Sequence, residues 1–243
     1  MRTETPVNWH RVTALFGGTF DPPHLGHREA VRGLFAHPGV RRVLVIPTAV
    51  PPHKVATTST DARLAMCRLA FSPQPRSPFP FEVEISIHEI ERHKHMRTPS
   101  YTFDTLVALR REISELAFVI GADQVAQLTH WHRFPEILDL CHWIVLARKP
   151  HGQDTALATL QTWEGSGIIS RARNTSASAL KSFTTPGGMT LAVIETDAPD
   201  LSSTLIREAL SKNGASPAGS LLPEVEAYLK ENTLYGTKKS NED

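Results

Sequence analysis

The sequence predicts an α/β fold built on a doubly wound, mostly parallel sheet. Three observations carry that expectation. Short apolar runs alternate with longer stretches of helically spaced apolar residues, the order of successive βαβ units. The first run, VTALF at residues 12–16, passes through two glycines into a helical stretch. The chain has 243 residues, 40% apolar and 21% charged. A compact fold of that size buries roughly 70% of its unfolded surface, so a substantial core is available.

Taken in order, residues 12–16 read as the first strand and residues 26–35 as a helix. RVLVIP at 42–47 is a second buried strand. DARLAMCRLAF at 61–71 has helical spacing, with Asp61 placed to cap it. Residues 81–87 alternate like a strand, and a helix begins at Thr102 and runs to Leu109. LAFVI at 116–120, WIVLA at 143–147 and LAVI at 191–194 complete the strands. Two regions break the rhythm. PQPRSPFP at 73–80 is a proline-rich loop. Residues 151–188 show weak periodicity and many Ser, Thr and Gly, so the single domain spanning 1–243 is expected to carry an insertion or mobile excursion there. A disordered tail is expected from about residue 238.

Charge narrows the function classes. Lys and Arg number 26 against 25 Asp and Glu, which excludes bulk electrostatic binding to nucleic acid or anionic lipid. The two cysteines, Cys67 and Cys141, are too few for a disulfide framework and sit in apolar patterns. Residues 1–13 lack the apolar stretch of a signal peptide, and no run approaches the ~20 apolar residues of a membrane span. A soluble, cytoplasmic protein is expected.

The strongest feature is GGTFDPPHLGH at residues 17–27. Glycines at a strand end let a ligand approach the backbone, and the helix start after them offers free N–H groups to phosphate. His24 and His27 fall within one helical turn and can face the same way. Two imidazoles there can donate to phosphate oxygens. A turn with two surface histidines is the plainer reading, and a zinc site the other, but no third ligand stands at convincing spacing. Ser202, Ser203 and Thr204 open a second helical segment, with Arg207 one turn on; on their own they read equally as a helix cap. Asp123 follows a strand end, where doubly wound sheets bind ligands, or caps the next helix. Trp131, in the polar stretch THWHRF, is either a stacking surface or a packing residue. Lys54, in the proline loop PPHK, is by itself an ordinary solvated lysine.

Together these motifs resemble the HxGH nucleotidyltransferase superfamily, and within it the nicotinate-nucleotide adenylyltransferases. GGTFDPPHLGH matches the opening signature GGTFDPxHxGH. PPHK (51–54), RLAM (63–66), SYTFDTL (100–106), GADQVAQLTHW (121–131) with Arg133 and Phe134, DLSSTLIR (200–207) and the closing VEAYLKENTLY follow in the family's order. The resemblance covers roughly residues 12–150 and 190–236. It implies a Rossmann-like nucleotidyltransferase fold and adenylyl transfer from ATP to nicotinate mononucleotide, giving deamido-NAD and pyrophosphate in NAD biosynthesis. Mg²⁺ is expected with ATP, held by phosphate oxygens and water rather than by a protein metal cage. On this reading His24, His27 and Arg207 are catalytic. Gly17, Gly18, Thr19, Lys54, Asp123, Ser202, Ser203 and Thr204 bind ATP and its phosphates, and Thr102, Trp131 and the backbone at His132 hold the nicotinate ring.

The rivals are the same chemistry on nicotinamide mononucleotide or another phosphorylated small molecule, and a non-catalytic nucleotide sensor of the same fold. ATP and the mononucleotide are the expected partners, with neither nucleic acid nor membrane; a homo-oligomer is left open.

Overall fold

The computed structural model describes residues 6–52, 55–73, 79–148, 152–172 and 181–237. The expected order of elements is present. β1 (Thr13–Gly18) leads to α1 (Leu25–Ala36), β2 (Arg42–Pro47), α2 (Thr60–Phe71), β3 (Glu82–Ile85), α3 (His88–Met96) and α4 (Thr102–Leu109). β4 (Leu116–Gly121), the single turn α5 (Ala122–Val125) and β5 (His142–Arg148) follow. Then come α6 (Gly152–Gly165), β6 (Ser170–Arg171), β7 (Lys181–Thr184), β8 (Thr190–Thr196), α7 (Ser203–Asn213) and α8 (Pro223–Glu231).

Among the described residues these strands form one sheet in the order β3-β2-β1-β4-β5-β8-β7-β6. All neighbours run parallel except at the far edge, where β7 is antiparallel to both β8 and β6. The chain winds outward from β1 through β2 to β3, then returns to add β4 and β5 on the other side. The reversal lies between β1 and β4, and the carboxyl ends of those two strands flank the crevice where such sheets bind ligands.

The central strands are buried on both faces, which is why they read as continuous apolar runs. Ala14, Val43, Val45, Val119, Ile144 and Ala192 face a layer completed by Val31, Leu34, Met66, Ile206, Leu210, Val225 and Leu229 of α1, α2, α7 and α8. The alternate residues, Leu15, Leu44, Phe118, Trp143, Val145 and Leu191, face Leu106, Val125, Leu160 and Trp163 of α4, α5 and α6. Helices therefore cover both faces, as a doubly wound sheet requires.

Two expectations are corrected. Within the stretch 151–188, the described residues 152–172 and 181–188 are not an excursion from the core. Gly152–Gly165 is helical, and Ala156, Leu160, Trp163, Ile169 and Phe183 are buried in the second layer. Phe183 is carried by β7, which pairs with β8 in register Phe183 opposite Leu191. Asp61 is not the cap of α2 either: Ser59 Oγ accepts the Ala62 N–H at 3.2 Å, and Asp61 lies in the first turn, where its charge favours the helix dipole. The expected tail from 238 lies outside the described residues. No described helix is long and apolar enough to cross a membrane.

Candidate active site

Two cavities open on the crevice between β1 and β4, and they share Gly17, Gly18, Thr19 and Gln124 as a common wall. The first, ≈ 380 Å³, is lined by His24, His27, Asp123, Arg148, Asp200, Ser202, Ser203, Thr204 and Arg207. The second, ≈ 530 Å³, is lined by Glu89, Tyr101, Thr102, His130, Trp131 and His132, among others. The expected phosphate and pyridine groups thus separate into adjoining chambers. Lys54 lies outside the described residues.

His24 is the N-cap of α1, with extended backbone at φ −137°. Its Nδ1 accepts the His27 N–H at 3.3 Å, while its own N–H donates to His27 Nδ1 at 3.2 Å. This reciprocal bonding is a capping box built from two histidines. It stacks the rings with centroids 3.6 Å apart. An Nδ1 that accepts leaves the proton of a neutral imidazole on Nε2, so each histidine offers an Nε2–H donor. His24 is buried, and burial first, then the Arg148 charge, lowers its pKa to about 4. It is neutral at pH 7. Between the two histidines only glycine fits: a Cβ on Gly26 would lie 2.8 Å from the Pro199 carbonyl oxygen and 3.0 Å from His24 Nδ1.

The opposite wall is the start of α7. Ser202 takes the N-cap position without a side-chain capping bond, so its hydroxyl is not used there. Ser203 Oγ donates to the Pro22 carbonyl at 2.9 Å. Arg207 Nη1 donates to the Asp21 carbonyl at 2.7 Å, and its Nη2 donates to Thr204 Oγ1 at 3.3 Å. The helix start and the loop after β1 are therefore locked together across the cavity. Asp123 projects from the first turn of α5 and folds back over Gly121, where any Cβ would collide with Asp123 Oδ1.

In the second cavity, Thr102 opens α4, whose N-cap residue Tyr101 makes no side-chain capping bond. The Asp104 N–H donates to the Tyr101 carbonyl at 3.1 Å, while the N–H groups of Thr102 and Phe103 have no partner within the helix. Trp131 stands at the border between core and cavity. Its ring packs edge-on against Phe118, centroids 6.0 Å apart, and lies 6.5 Å from Trp143, yet it also lines the cavity. The His132 ring rests 4.7 Å from that of Tyr101.

Sequence reasoning missed three groups. Arg148 ends β5 in the first cavity and is ion-paired with Asp200; the rule that ligands meet strand ends could have found it. Glu89, in the second cavity, is buried, and its Oε1 accepts the Thr105 hydroxyl at 2.9 Å. Burial raises its pKa, against the hydrogen bonds of Thr105 and Ser100 and the Arg92 charge. Asp21, inside the first motif, had no sequence signal of its own.

The cytidylyltransferase-like family profile matches residues 15–209. A curated relative from Sodalis glossinidius, named "probable nicotinate-nucleotide adenylyltransferase", is 36% identical over 228 residues, covering 92% of this chain and 97% of its own length. One of the same name from Yersinia pestis is 34% identical over 234 residues, covering 93% and 96%. The structure of Plasmodium falciparum nicotinic acid mononucleotide adenylyltransferase complexed with NaAD superposes with a TM-score of 0.69 at 15% identity. It covers 95% of this chain and all of that one, so it shares the fold. The chain belongs to the cytidylyltransferase-like family, among the nicotinate-nucleotide adenylyltransferases.

Proposed function

We propose that the protein transfers the adenylyl group of ATP to nicotinate mononucleotide, releasing pyrophosphate and forming deamido-NAD. The observation that carries this reading is the pair of cavities meeting at Gly17–Thr19. ATP phosphates occupy the first, the pyridine nucleotide the second, and the attacking phosphate meets the α-phosphorus at the shared wall.

The phosphate of a mononucleotide has a second pKa of about 6 and is already an anion at neutral pH. No general base is needed. Rate then comes from alignment and from donors placed where charge develops. Neutral His24 and its stacked partner His27 supply Nε2–H donors. Arg207, oriented by the Asp21 carbonyl, supplies a guanidinium. Arg148 adds a second cation once an anionic ligand competes with Asp200 for it. The Ser202 and Thr204 hydroxyls and the α7 start complete the grip, and Asp123 accepts from the ATP ribose.

Magnesium accompanies ATP and neutralises charge on the phosphates. The first cavity is lined mainly by hydroxyl, imidazole and guanidinium groups, with the carboxylates of Asp21, Asp123 and Asp200 among them. That set suits an ion held by phosphate oxygens and water.

Nicotinate is preferred over nicotinamide because the second cavity offers donors to a ring substituent: the Thr102 hydroxyl and the uncapped start of α4. A carboxylate uses them, whereas an amide turns its NH₂ toward them. Pyrophosphate release decides the proposal, measured with ATP alone and with each pyridine mononucleotide added. Release that depends on nicotinate mononucleotide, with kcat/KM one to two decades above nicotinamide mononucleotide, supports it. ATP binding without release identifies a nucleotide sensor, and equal efficiencies overturn the nicotinate preference.

A further inference from the structure

We infer that Asp21 is a positioning residue for the phosphate end of the site, drawing the loop after β1, the segment before α2, the start of α7 and the C-terminal turn around one carboxylate. The inference rests on the reading of the first cavity given above. Asp21 is only 4% exposed, yet its carboxylate accepts three hydrogen bonds. Oδ2 takes the Thr57 N–H at 2.6 Å; Oδ1 takes the Thr58 hydroxyl at 2.7 Å and the Tyr235 hydroxyl at 2.6 Å. The backbone of the same residue carries the carbonyl that holds Arg207 at 2.7 Å, and the next carbonyl, of Pro22, holds Ser203. Two residues further on the chain reaches His24. One side chain thus fixes a short backbone unit on which a phosphate-gripping arginine and the histidine cap both depend.

Two further observations fit a held geometry. Phe20, just before Asp21, has φ +49°, and Tyr235 has φ +53°, both in the left-handed region that non-glycine residues rarely adopt. Such conformations persist where surrounding contacts over-determine them. The carboxylate is also kept charged. Burial alone would raise its pKa, but the bonds from Tyr235, Thr57 and Thr58 and the Arg207 charge outweigh that and hold it below the usual carboxylate value.

The test compares Tyr235→Phe and Asp21→Asn with wild type in pyrophosphate release, ATP affinity and thermal melting. Tyr235→Phe should lower kcat about tenfold, the scale of one lost hydrogen bond to a charged group. Its KM for the mononucleotide should stay within about twofold, because the second cavity is not touched. Having lost a donor, Asp21 should protonate at higher pH, moving the acid limb of kcat upward. Asp21→Asn should cost more, but its loss should combine with that of Arg207→Ala to much less than their product, since the two share the Arg207 guanidinium. A fall in melting temperature with kcat per folded molecule unchanged would overturn the inference. So would losses that multiply between Asp21→Asn and Arg207→Ala. If Asp21→Asn does not fold, the kcat and pH profile of Tyr235→Phe decide alone. A wild-type chain that releases no pyrophosphate defeats the proposed reaction instead. ATP affinity then decides: non-additive losses in the two variants support the inference, and additive or absent losses overturn it.

Discussion

On the proposed mechanism His24 has two separable tasks, and replacing it with asparagine takes them apart. The imidazole Nδ1 caps α1 by accepting the His27 N–H at 3.3 Å, while the opposite edge offers Nε2–H to the cavity. Asparagine ranks with the best N-cap residues, so His24→Asn keeps an acceptor for the helix. Its shorter side chain cannot place a donor at the reacting phosphates. The expected result is a loss in kcat of about 10²–10³-fold, the usual cost of removing one positioned donor to developing charge. His24→Ala should show the same rate loss and be less stable than His24→Asn by about 1 kcal/mol, the value of the cap. A pH signature accompanies this. The folded-state pKa lies at about 4, below the ordinary histidine value of 6.5, so on acidification the unfolded chain takes up the proton first. Wild-type stability should therefore fall as pH drops from 6.5 towards 4, by on the order of 3 kcal/mol from this group. Either variant lacks that contribution, and its acid-side decline should be shallower. Urea unfolding at a series of pH values, paired with pyrophosphate-release kinetics at pH 7.5, measures both halves. A His24→Asn enzyme within tenfold of wild-type kcat would refute the donor role. Parallel loss of stability in variant and wild type would refute a buried neutral imidazole.

Trp131→Ala should raise KM for both pyridine mononucleotides alike, since both present the same ring, whereas Thr102→Val should narrow the preference for nicotinate by about 1–3 kcal/mol; kcat/KM for the two substrates on each variant checks this. Trp163→Ala should destabilise the protein by about 3–5 kcal/mol in chemical denaturation, because Trp163 is a core residue at 4% exposure. Removal of residues 152–184 should, for the same reason, give an insoluble or molten product on gel filtration. On the proposal that Mg²⁺ enters with ATP, a chelator should stop turnover while leaving the melting temperature of the ligand-free protein unchanged; a chelator-induced fall in that temperature would place the ion on the protein.

The central strands were legible because they are buried on both faces, which leaves five short apolar runs whose length and β-branched content, rather than their period, separate them from helices. The edge of the sheet was not. β6 has two residues and β7 four, too short for any period to emerge. Along α6 the buried positions Ala156, Leu160 and Trp163 do follow helical spacing. Leu157 packs beside them, but Ala158, Thr159, Gln161 and Thr162 interrupt the apolar positions, and Gln153, Asp154 and Thr155 precede them, so the surrounding polarity masks the stripe. Ser59 outranked Asp61 as the cap of α2 by geometry alone: its extended backbone, φ −62° and ψ 154°, precedes the helix, whereas Asp61 already lies inside it.

The site divides in the same way. GGTFDPPHLGH was readable because the residues that meet at the first cavity stand in one short segment; the Pro199 carbonyl that leaves no room for a Cβ on Gly26 was not. The reach of Asp21 was not readable, since its partners Thr57, Thr58 and Tyr235 lie 36, 37 and 214 positions away. Only the sheet order brings them together. β1 lies inside the sheet between β2 and β4, and at the loop leaving its carboxyl end segments after β2, after β8 and near residue 235 converge. A residue in that loop that looks like a connector in sequence is, by position, the point where the most distant parts of the chain can be tied. The predicted coupling between Asp21 and Arg207 is thus a consequence of topology as much as of local chemistry, and a substitution 214 residues away, at Tyr235, should be felt in the rate.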